Sequence, residues 1–278
     1  MAQIPRHLDV LEDMIYAAYQ RKESKDLMLT RIGASGVGDE CVRAIWYDWR
    51  GATNDVPDGR MLRLFRTGYI QEDRVVQDLK DAGLEVWEVD PETGKQWTYT
   101  AANGHFVCKL DGVLRGVPGA EKTPHTLEIK SSNVKGFAEL TKYGVQRAKP
   151  EHYAQMQSGM WLSGLTRCLY VAIRKDDEKY YIERVERDEV AIAEIQSKLD
   201  KLTTIMSPPP RFTDKEGFWG CKFCDAQEVC WGHKPPLQNC RTCQFSNIKD
   251  EGGWVCEKFN REIPYGAQLK GCDLWTPY

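Results

Sequence analysis

The chain has 278 residues, of which 41% are hydrophobic and 28% charged, and its formal net charge is −3. This length allows one large domain or two smaller ones, each with a sizeable core. No apolar run approaches the length of a membrane span and the N-terminus lacks a signal-peptide pattern, so the sequence favours a soluble, cytoplasmic protein over a membrane-embedded or secreted one.

The first third of the chain is dominated by helical spacing of apolar residues. The pattern predicts a first helix over 6–22 and a second that begins at a cap, Ser35 or Asp39, and ends at Trp49. A third helix is predicted over 61–81, after a loop at 54–59. The second helix carries the aromatic residues Trp46, Tyr47 and Trp49. Such rings can stack on the bases of a single strand, but at helical spacing they usually fill a core, and we expect at least two to be buried.

The centre of the chain, residues 105–132, has the pattern of a β-hairpin. Short strands are predicted before it over 85–89 and 97–101, and the hairpin itself consists of strands over 106–114 and 126–130 with a Pro/Gly turn between them. Alternation places Glu128 and Lys130 on one face of the second strand. Asp111 lies on the preceding strand beside Gly112, so two carboxylates and one ammonium group are expected beside one groove.

This combination of side chains suits phosphodiester hydrolysis. Carboxylate oxygens are natural ligands of Mg²⁺ or Mn²⁺, which activate water and stabilise charge on a phosphate, and Lys130 would orient that water or offset the charge. Acid-x-Lys triplets also begin at Asp78 and Asp177, but only the triplet at Glu128 lies in an apolar strand. The alternative interpretation is a structural ion pair between Glu128 and Lys130.

The remaining elements follow the hairpin. They are a polar, flexible loop over 131–149 with a short helical piece at 137–140, a helix over 151–164, a strand hairpin over 168–174 and 179–185, and a helix over 188–205. Residues 109–149 carry eight basic and four acidic side chains, a local balance of +4. A basic patch here suits a polyanionic substrate, although a solvated surface would have the same charge.

Asp111 followed by Glu128-Ile129-Lys130 resembles the signature of the PD-(D/E)xK nuclease superfamily, in its RecB-like and YqaJ-type phage exonuclease branches. The resemblance implies an α/β, restriction-endonuclease-like core, with a central mixed sheet flanked by helices. It departs from the signature at Leu110, where the family has proline. The function implied is that of a divalent-metal-dependent DNA nuclease in which Asp111, Glu128 and Lys130 are catalytic.

Further family elements extend the implied site. Gly68-x3-Glu72 resembles the Gly-x3-Glu element of phage exonucleases, so the implied divalent-metal ligands are Glu72, Asp111, Glu128 and Ile129. The helix over 151–164 resembles the family segment with a catalytic glutamine, for which Gln155 is the better match and Gln157 the second.

The biological role implied by the resemblance is exonuclease activity in recombination or DNA end processing, on single-stranded DNA or duplex ends. A phage origin would place the protein in the cytoplasm of a bacterial host, with a recombination or annealing protein as its partner and no membrane contact. The alternative is a non-catalytic, metal-stabilised DNA-binding or scaffold protein that has kept the nuclease fold.

Ten cysteines, several in Cys-x2-Cys pairs, favour metal sites over disulfides. Cys221, Cys224 and Cys230 supply three thiolates where a closed tetrahedral site needs four. Cys41 takes the place of the first cysteine of iron–sulfur nucleases in the RecB and CRISPR-adaptation families, so the resemblance implies a structural 4Fe-4S cluster on these four residues. Zinc at the same thiolates, or zinc with His233 in place of Cys41, is the alternative.

A second cysteine set is self-contained near the C-terminus. Cys240, Cys243, Cys256 and Cys272 have the pattern of a structural zinc site in a small ribbon, which is too short to build a core without a metal. Two prolines at 235 and 236 precede it. The sequence therefore predicts a nuclease domain over 1–234 and a zinc-ribbon-like module over 235–278, and we expect the first to fold without the second.

Overall fold

A computed structural model describes residues 8–23, 31–53 and 57–278. Residues 6 and 7 of the first predicted helix and residues 54–56 of the predicted loop lie outside these ranges. The helices in the described ranges are α1 (Asp9–Glu23), α2 (Val42–Trp49), α3 (Gly59–Asp81), α4 (Val134–Ala148), α5 (Pro150–Ser163), α6 (Glu189–Thr204), α7 (Gln227–Trp231) and α8 (Tyr265–Gln268).

The strands are short apart from three in the middle of the chain. In order they are β1 (Ile32–Gly33), β2 (Glu85–Trp87), β3 (Thr98–Ala101), β4 (Phe106–Lys109), β5 (Gly112–Arg115), β6 (His125–Ser132), β7 (Arg167–Arg174), β8 (Tyr180–Glu186), β9 (Ser246–Ile248), β10 (Trp254–Cys256) and β11 (Arg261–Glu262). They form three sheets, with strand orders β2-β5-β6-β7-β8, β1-β4-β3 and β11-β10-β9.

The five-stranded sheet is mixed, because β6 and β7 run parallel and its other neighbours run antiparallel. Alternation along β6 sends Leu127 and Ile129 to the face covered by α3. The opposite face is covered by α4 and α5, which pack on side chains of β7 such as Tyr170 and Ala172. The prediction of an α/β fold with a mixed sheet flanked by helices is confirmed.

The predicted strand over 106–114 is two strands in two different sheets. β4 pairs with β1 and β3, whereas β5 pairs with β2 and β6, and the chain crosses between the sheets at Leu110 and Asp111. Gly112 permits this crossing, since a Cβ there would lie 3.1 Å from the carbonyl oxygen of Trp87. The strands predicted over 85–89 and 97–101 are likewise in separate sheets. They are connected by a bridge between Val89 and Gln96 and by a 2.9 Å hydrogen bond from Trp97 Nε1 to the Trp87 carbonyl.

The prediction of a flexible loop over 131–149 is wrong apart from its helical piece at 137–140, because α4 spans most of this segment. Its first turn is capped by Asn133, whose Oδ1 accepts the Gly136 N–H at 2.8 Å. Gly144 interrupts it with φ of 73°, and the Glu183 carboxylate accepts the Val145 N–H at 2.8 Å just beyond this kink. The helix therefore changes direction without leaving that donor unpaired.

The C-terminal segment packs against α2. Trp254 is fully buried with its ring centroid 5.0 Å from that of Trp49, and the ring of Tyr278 lies 4.5 Å from that of Trp46. The buried Arg50 guanidinium lies over Trp254 at 5.1 Å and donates a 2.9 Å hydrogen bond to the Arg241 carbonyl. Shared packing of this kind does not favour a separable module over 235–278.

The helices in the described ranges include none that is both long and apolar enough to cross a membrane.

Candidate active site at the open edge of β6

The candidate site lies where β5 leaves the edge of β6. β5 pairs with residues 125–127 only, and β6 continues beyond them beside β7. Asp111 lies against the edge that β5 leaves, where its Oδ2 accepts the N–H of Ile129 at 2.7 Å. Since the N–H and carbonyl of a strand residue point to the same side, the Ile129 carbonyl is directed at this edge too. The edge thus presents one carboxylate and one main-chain carbonyl.

Glu128 and Lys130 lie on one face of β6, as alternation predicts, and their side chains form an ion pair. Burial raises the pKa of the Glu128 carboxyl, an effect that Lys130 opposes and Asp111 reinforces. Burial by itself would lower the pKa of Lys130, but Glu128 and Asp111 outweigh it and raise that pKa. The ion pair expected from the alternative interpretation, a purely structural one, is therefore present. It lies close to two further acids, Asp111 and Glu72.

Glu72 approaches the same centre from α3. One turn further along the helix, Val76 packs in the cluster that contains Ile129, which places Glu72 beside the edge of β6. Burial raises the pKa of Glu72 to about 7, with a further contribution from Asp111 and an opposing one from Lys130. The carboxylates of Glu72, Asp111 and Glu128 therefore converge from a helix, an inter-strand link and a strand.

The donor set fits a hard divalent cation. It consists of three carboxylates and one carbonyl. Each negatively charged carboxylate disfavours ionisation of its neighbours, and a bound cation would offset this repulsion. Within the described ranges, no three His, Cys, Asp or Glu side chains are close enough together to be a formed metal site. The residues therefore converge without being in final ligand geometry.

The two candidate glutamines on α5 have different environments. Gln157 is fully buried, donates to the Glu186 carbonyl at 3.0 Å and accepts the Asp188 N–H at 2.8 Å, so it fastens α5 to the connection between β8 and α6. Gln155 is half-buried and lies one turn after His152. Of the two, Gln155 is the one left available for a role at the site.

Sequence reasoning missed His152 and Tyr170. Tyr170 pairs directly with Glu128 across the parallel strands, and its hydroxyl lies 2.8 Å from His152 Nδ1. Burial lowers the pKa of His152 to about 4, with smaller contributions from Lys130 and Lys149. The spacing of His152 and Gln155 on a predicted helix was the only signal in the sequence that could have associated this histidine with the site.

The first cysteine set meets in one pocket. Cys41, Cys221, Cys224 and Cys230 all line it. Cys41 itself holds the N-cap position of α2, where Ser35 or Asp39 was predicted, and its N–H donates to Asp39 Oδ1 at 2.7 Å. Burial raises the pKa of the Cys41 and Cys224 thiols.

The histidine proposed as an alternative ligand is engaged elsewhere, because His233 Nε2 contacts the Glu216 carboxylate. The second cysteine set also comes together. Burial raises the pKa of Cys240, and the neighbouring thiols Cys272, Cys243 and Cys256 raise it further. All ten cysteines of the chain are free thiols.

Comparison with known proteins gives distant similarities only. No protein-family model and no curated protein matches the chain. Among solved structures, it is similar to the alkaline exonuclease LHK-Exo from Laribacter hongkongensis, with 24% identity over 68% of this chain and 89% of that one and a TM-score of 0.46. A complex of LHK-Exo with dAMP gives 23% identity over the same shares, also with a TM-score of 0.46.

A third structure, SSO0001, is 16% identical over 84% of this chain and 100% of that one, with a TM-score of 0.45. These similarities are too distant to assign an activity, which has to come from the chain's own residues.

Proposed function

We propose that this chain is a divalent-metal-dependent DNA nuclease of the PD-(D/E)xK type. The observation that supports it is the convergence of Glu72, Asp111 and Glu128 with Lys130 at one sheet edge. These carboxylates, with the Ile129 carbonyl, would hold Mg²⁺ or Mn²⁺. When bound, the ion would supply activation of water and stabilisation of charge on the phosphate.

Lys130 acts as a donor in this proposal. The surrounding acids raise its pKa, which favours the protonated ammonium group, a hydrogen-bond donor. It donates hydrogen bonds to the attacking water or to a phosphate oxygen. Gln155, on the helix that covers this face, would orient the same water or phosphate through its amide.

The helix α4 supplies positive charge on the side of the sheet that carries Glu128. Its exposed basic residues are Lys135, Lys142 and Arg147, and Lys149 follows directly. A phosphate backbone is attracted to such a surface regardless of base sequence. The position of these residues supports DNA as the substrate. We further propose an end-processing exonuclease in recombination that is phage-encoded and acts in the host cytoplasm with a recombination or annealing protein.

The cysteine sets belong to the same proposal as structural metal sites. A 4Fe-4S cluster on Cys41, Cys221, Cys224 and Cys230 would tie α2 to residues near α7, with zinc as the alternative at the same thiols. Zinc on Cys240, Cys243, Cys256 and Cys272 would close the C-terminal ribbon. Iron and zinc content per chain and visible absorption of anaerobically prepared protein distinguish these assignments.

The test of the function uses end-labelled linear DNA and closed circular DNA with Mg²⁺ or Mn²⁺. We expect degradation of the linear DNA alone, inhibition by chelator, and a loss of about a hundredfold or more in Glu128→Gln with an unchanged melting temperature. Equal activity of Glu128→Gln and the unaltered protein would refute the site. Binding of DNA without any cleavage would favour the non-catalytic alternative.

A further inference from the structure

Two large aromatic side chains on the first half of α3 are exposed. Phe65 is 46% exposed and Tyr69 65%. Together with Glu72 they have the spacing i, i+4 and i+7, which places all three on one face of the helix. At 1.5 Å per residue, Tyr69 is about 4.5 Å and Phe65 about 10 Å along the axis from Glu72. The two rings therefore form a stripe that leads to the acidic centre.

A gap lies within this stripe at Gly68, which is one turn from both Phe65 and Glu72. A Cβ built on Gly68 meets no atom within 4 Å, so the surface there is open. Glycine inside a helix costs roughly 1 kcal/mol relative to alanine. The gap allows a flat group to approach the helix backbone between the rings and the acids.

The charge of this half-helix suits a polyanion. Residues 59–71 include Arg60, Arg63 and Arg66, all exposed, and no Asp or Glu. Proteins that hold single-stranded nucleic acid combine such basic groups with aromatic rings on which unpaired bases stack. By contrast, Trp46, Tyr47 and Trp49 are buried in the core and cannot take this role.

We propose that Phe65 and Tyr69 form a stacking platform for unpaired bases of single-stranded DNA, and that Arg66, one turn before Tyr69 on the helix, holds its backbone. The path of the bound strand rests on the proposed function, since the stripe would lead the strand to the acids around Glu72. The binding itself depends only on the rings, the gap and the charges.

The first test measures binding of a short fluorescent oligothymidylate in chelator, so that no cleavage occurs. We expect Phe65→Ala and Tyr69→Ala each to weaken binding about tenfold, and Tyr69→Phe to retain it, because stacking requires the ring and not the hydroxyl. The matched control is Val190→Ala. Val190 is 69% exposed at the start of α6, on a different element, so its truncation should leave binding unchanged.

A second variant separates binding from folding. Leucine is a better helix former than glycine, so Gly68→Leu should keep or raise the melting temperature. Its side chain would fill the gap, and we expect oligothymidylate binding to weaken several-fold.

Unchanged binding in both Tyr69→Ala and Gly68→Leu would overturn the platform. An effect of these variants on self-association alone would identify the stripe as a protein contact and also overturn it. Binding that depends on Tyr69 in a protein that cleaves no DNA would refute the nuclease and leave the platform standing. Cleavage of DNA together with binding that does not depend on Tyr69 would refute the platform and leave the nuclease standing.

Discussion

Asp111 performs two tasks with one carboxylate, since it accepts the Ile129 N–H and acts electrostatically on Glu72 and Glu128. Asp111→Asn keeps an acceptor oxygen, whereas Asp111→Ala leaves the N–H without its partner. We expect both variants to lose cleavage, and Asp111→Ala to have a lower free energy of unfolding than Asp111→Asn by about 1–3 kcal/mol. Chemical denaturation of the two variants measures this difference. Both substitutions remove the charge of Asp111, so the loss of that charge does not contribute to it. Equal stabilities would show that the hydrogen bond contributes nothing.

At the scale of single residues, the sequence predicted what depends on alternation or local spacing. Glu128 and Lys130 share a face because a strand has period two. The environments of Gln155 and Gln157 were not predictable, since Gln157 is fixed by main-chain groups of distant residues. Tyr170 became a neighbour of Glu128 only through the parallel pairing of β6 and β7, which no local pattern specifies.

His105, directly before β4, connects the second sheet to the C-terminal segment. Its Nε2 lies 2.9 Å from the Lys249 carbonyl, and the ring centroids of Trp49 and Trp254 lie 5.3 and 5.5 Å away. Burial lowers the pKa of His105, and nearby arginines lower it further against the raising effect of the Lys249 carbonyl. The folded protein therefore favours the neutral ring more strongly than the unfolded chain does.

This burial makes stability depend on pH with a defined sign. The unfolded chain binds a proton at His105 as the pH falls through about 6.5, whereas the folded chain binds it only at lower pH, so stability falls. We expect His105→Gln to reduce the loss of unfolding free energy between pH 7.5 and 5.5 by about 1 kcal/mol. The unfolding free energy at each pH is measured by tryptophan fluorescence during denaturation, to which Trp49 and Trp254 contribute. Identical pH profiles for the variant and the unaltered protein would contradict this role.

At the scale of elements, α3 and α5 were predictable within two residues. The helix α4 was not, because Gly136 and Gly144 are poor helix formers and its kink is stabilised by Glu183 from β8. The division of residues 106–114 between two sheets was also missed. That division depends on which strands lie alongside β4 and β5, and this pairing is set by the whole fold.

For the whole molecule, the two prolines at 235 and 236 and the local cysteine spacing suggested a separate C-terminal module. The structure instead joins this segment to α2 through aromatic contacts between residues about two hundred positions apart in the chain, such as Trp49 and Trp254. Neither ring has a local pattern that identifies its partner. The packing of the C-terminal segment against α2 could therefore not be predicted from the sequence.

Deleting residues 236–278 should accordingly destabilise the remaining chain. The deletion removes Trp254 and Tyr278 and uncovers Trp46 and Trp49. Large aromatic side chains bury about 150–250 Å² each, so at roughly 25 cal/mol per Å² the loss amounts to several kcal/mol, a large share of the stability of a typical domain. We expect a strongly lowered melting temperature or insoluble protein.

A point variant gives the same test without truncation. Trp254→Ala should lower the free energy of unfolding by about 3–5 kcal/mol, whereas Lys258→Ala, at an exposed position in the same segment, should change it little. Thermal and chemical denaturation measure both variants. A truncated chain that melts like the full-length protein, together with a stable Trp254→Ala, would show that residues 1–234 fold independently. Because Trp254 packs against both Trp49 and His105, we expect the fold to require the C-terminal segment.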